Sequence, residues 1–203
     1  LPTPLKPTSI EQRVAETLKK YEDSGLNIND FLKSLPQKDF GGFGGNTACV
    51  EVKSDKSQII IDAGSGIRQL GADLLAGPCG KGQGVVDLFF THFHWDHLVG
   101  LPFFIPIFIP GNVINVYAVQ PEIEQIFKHV FQKPYFPVPY ERLGAKINYH
   151  QLNPREPKTI GDIKVTPYQL DHPDPCWGYR VENSGKVFSY CVDTECTRAS
   201  RVD

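Results

Sequence analysis

The stretch VVDLFFTHFHWDH, residues 85–97, decides the fold. Its first six residues form an almost continuous apolar run, the pattern of a strand buried on both faces. The next seven, THFHWDH, hold three of the chain's six histidines and an aspartate. His92 and His94 stand two apart, so on an extended segment leaving the strand their side chains point the same way. Asp96 and His97 follow as the chain turns away. Four ligand-type side chains therefore converge in one short loop at the end of a buried strand. Imidazole nitrogen and carboxylate oxygen are normal ligands for zinc and similar divalent ions. Three protein ligands per ion leave a position for water, which a catalytic metal requires. A structural zinc is usually closed by thiolates, and none stands in this loop.

One loop does not complete a site, and two further candidates lie at strand ends. His172 follows the strand IKVTPYQL, in LDHPDPCWGYR, and Asp193 ends the strand KVFSYCVD. Each could project from a loop into a shared cleft; taken singly, each would more often be a cap or turn residue.

The rest of the chain alternates helix and strand signals. SIEQRVAETLKK (9–20) spaces Ile10, Val14 and Leu18 as an amphipathic helix behind a Ser9 cap, and a short helix is expected over 29–35. After the glycine-rich turn GGFGGNT come TACVEVK and QIIIDAGSG, read as a β-hairpin. IRQLGADLLAG and PEIEQIFKHVFQK read as helices, and VINVYAV as a strand. KINYHQL, IKVTPYQL, WGYRVE and KVFSYCVD read as strands. The mixture predicts sheets covered by helices in one layered domain, 1–203, with 1–38 as a helical N-terminal insertion.

Composition narrows the function classes. The 203 residues are 40% hydrophobic and 22% charged, with net charge −2. No basic stripe is visible, so a small substrate is expected and nucleic acid is not, except as a short or cyclic nucleotide. No segment reaches the roughly 18 apolar residues of a membrane span. Five cysteines without a CxxC pair read as reduced thiols of a cytoplasmic protein. With Leu1 first and no methionine in the sequence, the chain is expected to be a fragment or a processed form. Cys176 is read as a small buried hydrophobe and not as a ligand. His129 and His150 are taken as structural, and Trp95 and Trp177 as core before pocket wall. The apolar loops GLPFFIPIFIPG and PYFPVPY are expected to pack on the sheet or to bury a homodimer interface, ahead of shaping a substrate mouth.

The ordered motifs GGNTACVEV, IIIDAGSGIRQLG, THFHWDHLVGLPFFIP, PYFPVP, HPDPCWGYRVE and YCVDTE resemble the phosphodiesterase-like branch of the metallo-β-lactamase superfamily. That branch includes phosphoribosyl cyclic phosphodiesterases, class II cyclic-nucleotide phosphodiesterases and tRNA 3′-processing endonucleases. The resemblance covers most of residues 40–196. It implies an α/β fold, the αββα four-layer sandwich, with a site for two divalent ions at one edge of the sheets. Zinc is expected ahead of manganese or iron. By the same resemblance His92, His94 and His172 would hold one ion, Asp96 and His97 the second, and Asp193 would bridge both. Asp62, in the DAGSG turn, would orient a ligand histidine. The family supplies one more histidine after the Asp-Thr position and a strand ahead of LPTP. Neither is present, so a domain clipped at both ends is expected.

The implied activity is hydrolysis of a small or cyclic phosphodiester by a metal-activated hydroxide, with Asp96 as catalytic residue, orienting the nucleophile or passing its proton. Thioester or lactam hydrolysis on the same fold is the alternative, and a non-catalytic metal-binding domain is a third reading.

Overall fold

The computed structural model describes residues 7–36, 39 and 45–195. The chain divides into two compact units, residues 1–46 and 47–203. In the first, α1 (Pro7–Ser24) and α2 (Ile28–Ser34) are joined through the rings of Tyr21 and Phe31, 5.1 Å apart. Ser9, expected as the cap of α1, lies inside the helix. Helix α2 starts one residue earlier than expected, because the Asn27 side chain caps it by accepting from the Asp30 N–H at 3.1 Å. Of the GGFGGNT turn, residues 41–44 lie outside the described residues.

The second unit carries two sheets. The first has the order β1 (Val50–Lys53), β2 (Gln58–Ile61), β3 (Val85–Phe89), β4 (Val113–Ala118), β5 (Lys146–Gln151). β1 and β2 form the expected antiparallel hairpin; β2 through β5 run parallel. The second sheet is antiparallel: β6 (Lys158–Ile160), β7 (Ile163–Gln169), β8 (Trp177–Asn183) and β9 (Lys186–Tyr190). β6 is three residues long and was not marked by any pattern in the sequence.

Side-chain alternation sorts the first sheet's residues into two cores. Ile59, Ile61, Phe89 and Tyr117 face the second sheet and pack with Val165, Tyr179 and Val181. Ile60, Leu88 and Val116 face the other way, onto Ile67 of α3 (Gly66–Leu74) and Phe127 of α5 (Ile123–Val130). A sheet buried on both faces explains why VVDLFF reads as an apolar run. Its exceptions are Val85, exposed where the strand enters, and Asp87, half-buried. The apolar loop after the motif folds into 3₁₀ turns at Leu101–Phe103 and Ile105–Phe108. Leu101, Phe104 and Ile107 are buried in the helix-side core, while Phe103 and Ile105 face outward. Among the described residues no helix is long and apolar enough to cross a membrane.

Parallel strands put their C-terminal ends on one edge. Asp62 directly follows β2, and Thr91 follows β3 two residues past its end; the short helix α4 (Trp95–Leu98) comes next in the chain. The second sheet delivers its loops to the same edge: Tyr179 of β8 donates its hydroxyl to the Phe90 carbonyl at 2.6 Å, and the Trp177 N–H bonds the Thr91 carbonyl at 3.0 Å.

Candidate metal centre

At that edge the sequence candidates meet. His92, His94, His172 and Asp193 each offer a ligand atom, all within 4.8 Å of one another; Asp96, His97 and Asp193 do the same. Asp193 belongs to both groups. Its Oδ2 lies 3.8 Å from His92 Nε2 and 3.5 Å from His97 Nε2. His97 Nε2 is also 3.6 Å from Asp96 Oδ2, and His172 Nε2 is 3.2 Å from His94 Nδ1. Ligands about 2.1 Å from a tetrahedral ion stand roughly 3.4 Å apart, so these separations suit shared cations.

The orientation of the rings follows from Asp62. This residue takes a left-handed backbone conformation, φ +65°, which aspartate tolerates better than most side chains, and its own N–H bonds the Phe89 carbonyl. Its buried carboxylate accepts from the Thr91 N–H and from the Thr91 hydroxyl at 2.9–3.0 Å, and sits 2.9 Å from His97 Nδ1. A carboxylate only accepts, so His97 Nδ1 carries a proton, and in the neutral ring Nε2 is the bare nitrogen. Having given its hydrogen to Asp62, the Thr91 hydroxyl can only accept from His92 Nδ1, 3.0 Å away. His92 Nε2 is therefore bare as well. It is buried and has no hydrogen-bond partner among the described residues. A buried lone pair facing a carboxylate and two more imidazoles is unfavourable unless a cation sits among them. This orphaned nitrogen is the observation on which a divalent metal fits the site.

The electrostatics agree. Burial, with the neighbouring His97 and His94, pushes His92 down to about 4, so the ring is neutral near pH 7. Burial also opposes charge on His97, but the hydrogen bond and charge of Asp62, with Asp96 and Asp193 beyond, carry it above its ordinary value. Burial holds the Asp62 carboxyl above its usual range.

Cys176 is buried with Sγ 3.5 Å from His92 Nδ1, on the side away from the bare nitrogen. His150 stacks on Tyr117 and His129 lies against Tyr135; neither joins the clusters. Trp177 is buried, whereas Trp95 is 63% exposed. The expectation of a core residue at Trp95 is corrected: helix α4 buries His97 and Leu98 and thereby turns Trp95 outward.

Two residues were not singled out from the sequence. Thr91 relays Asp62 to His92; a hydroxyl next to a ligand histidine was the available signal. Asp174, two residues after His172, has Oδ2 2.7 Å from His94 Nε2.

The family model described as the beta-lactamase superfamily domain matches residues 57–202, and the chain belongs to that family. Ribonuclease Z of Ligilactobacillus salivarius (strain UCC118) is 32% identical over 99 residues, 47% of this chain and 30% of that protein. Of solved structures, the unliganded yeast PDE1 matches with TM-score 0.54 and 20% identity over 77% of this chain and 63% of that one. The metallo-beta-lactamase fold protein YhfI from Bacillus subtilis matches with TM-score 0.53 and 19% identity, over 72% and 54%. These likenesses show the fold. The chain spans less than half the length of the curated relatives it matches, 30–46% of the first four.

Proposed function

We propose that this member of the beta-lactamase superfamily is a metal-dependent phosphodiesterase acting on a small or cyclic phosphodiester. What supports the reading is one juxtaposition: a three-histidine group and an Asp96–His97 pair that share Asp193, with the bare His92 Nε2 buried at their centre. In this reading His92, His94 and His172 would hold one divalent ion and Asp96 and His97 a second, with Asp193 available to both groups. Bound there, the ions would supply Lewis acidity, neutralising phosphate oxygens and lowering the pKa of water. Zinc is the first expectation, ahead of manganese or iron, since histidine nitrogen and carboxylate oxygen suit all three.

The remaining work belongs to the chain. Asp62 and Thr91 aim His92 Nε2 and His97 Nε2 inward, and the neutral His92 ring leaves its Nε2 bare. Asp96 is the most exposed carboxylate of the clusters, at 50% of its side chain against 37% for Asp193. It meets a water arriving from solvent first, and it serves to orient that water and accept its proton. Asp193, closer to the buried rings, keeps both groups of ligands in register. The net charge of −2 favours a small substrate over a long polyanion. A second reading, cleavage within an RNA, is favoured by the names of the curated relatives, ribonuclease Z and ribonuclease BN.

The test is a substrate panel with metal-replete protein: bis-p-nitrophenyl phosphate, a 3′,5′-cyclic nucleotide, an RNA with a 3′ extension, a thioester and a lactam. Turnover of the first two with the last two untouched is expected. RNA cleavage without cyclic-nucleotide turnover would move the substrate class to nucleic acid. Thioester or lactam turnover with no phosphodiester cleavage would overturn the proposal.

A further inference from the structure

His94 differs from the other histidines of its loop. His92 and His97 are buried and tied to Asp62, directly or through Thr91. His94 is 40% exposed and lies outside that network. An exposed imidazole can flip, and either nitrogen can carry the proton, so nothing in the loop itself presents Nδ1 to the metal cluster. Asp174 supplies what is missing. Its Oδ2 stands 2.7 Å from His94 Nε2, which puts the proton on Nε2 and leaves Nδ1 bare, 3.2 Å from His172 Nε2.

The segment that brings Asp174 is well placed to hold it. His172-Pro173-Asp174-Pro175 leaves β7 with two residues of fixed φ. The Pro175 carbonyl accepts from Gln120 Nε2 at 2.7 Å, and Gln120 also reaches the Thr91 carbonyl at 3.3 Å. The Leu170 N–H bonds the Cys176 carbonyl, closing the loop at its base. One loop thus offers a ligand nitrogen beside one face of the His94 ring and a carboxylate to the ring's far nitrogen. Asp174 is itself absent from both ligand groups, its oxygen being taken up by His94.

We propose that Asp174 is a positioning residue for the metal centre, fixing the tautomer and orientation of His94 from outside the ligand set. The inference rests on the metal reading given above. A hydrogen bond this exposed contributes little to folding, so its effect falls on metal affinity and not on stability.

The experiment is a zinc titration against a competing chelator with the full chain as wild type, Asp174→Ala and Asp174→Asn. It is paired with ring ¹⁵N NMR of the metal-free proteins at mildly alkaline pH. Asp174→Ala is expected to weaken zinc binding about 10–100-fold, with unchanged thermal unfolding of the metal-free protein. In the same variant the His94 signals shift from the Nε2–H tautomer to a mixture. Asp174→Asn, whose amide oxygen still accepts from Nε2–H without a charge, recovers the tautomer and part of the affinity. Wild-type zinc affinity together with an unchanged His94 tautomer in Asp174→Ala overturns this inference and leaves the metal reading standing. A wild-type protein that takes up no zinc overturns the metal reading, and the role of Asp174 with it.

Discussion

Asp62 is the residue on which the most depends, because three donors converge on its buried carboxylate. Replacing it with alanine leaves the Thr91 N–H, the Thr91 hydroxyl and His97 Nδ1 without their acceptor in a site closed to water. The expected loss is about 3–5 kcal/mol, read from denaturant unfolding of the metal-free protein. His92 gives a pH signature. Its folded-state value of about 4 lies below the ordinary 6.5, so between those values the unfolded chain binds more protons. The stability it contributes is therefore complete above about 6.5 and lost as pH falls towards about 4. Metal-free wild type should lose on the order of 3 kcal/mol relative to His92→Leu across that window. Parallel pH profiles of the two proteins would contradict the assignment. Nothing near residue 94 in the sequence announces Asp174, 80 positions away. The histidine spacing was legible because all its members share one loop. Of the partners that aim the rings, Asp62 was named through the resemblance and Thr91 stands next to His92, whereas Asp174 is brought in by the fold alone.

The elements around the site are laced together by backbone. The Ala63 N–H bonds the His97 carbonyl, the Gly100 N–H bonds the Ala63 carbonyl, and the Gly64 N–H bonds the Ala48 carbonyl. Such close approach leaves no space for side chains. A Cβ on Gly64 would stand 2.4 Å from the Asp96 carbonyl oxygen, and one on Gly100 would stand 2.0 Å from the Gly64 carbonyl oxygen. Gly64→Ala should destabilise the protein by roughly 2 kcal/mol or more. It should also weaken metal binding by displacing the turn that carries Asp96, both measurable in one metal-dependent melting experiment. The strands that support this turn were legible because β2 and β3 are apolar on both faces. β6 was not, since three residues beginning with a lysine carry too short a period to register. Ser9 resembles a cap in the sequence, yet it lies inside α1.

At the scale of the molecule, the metal reading predicts that metal and fold are coupled. Ions that bind only the folded state stabilise it by mass action, so chelation should lower the melting temperature and zinc should restore it. Because the bonds and charges around His97 favour its protonated form, zinc must displace a proton there, and affinity should fall as pH drops. The two-sheet architecture was legible from strand order and from resemblance. The glycine-rich turn at residues 41–47, where helix signals give way to strand signals, stands at the boundary between the two units. The metal-dependent expectations rest on the claim that the His/Asp cluster holds metal for phosphodiester hydrolysis. The most direct test is release of p-nitrophenol from bis-p-nitrophenyl phosphate by metal-replete wild type and His94→Ala at neutral pH. The account predicts turnover by the wild type and a loss of roughly 100-fold or more in the variant. Equal rates in the two proteins, or no turnover by metal-replete wild type, would contradict it.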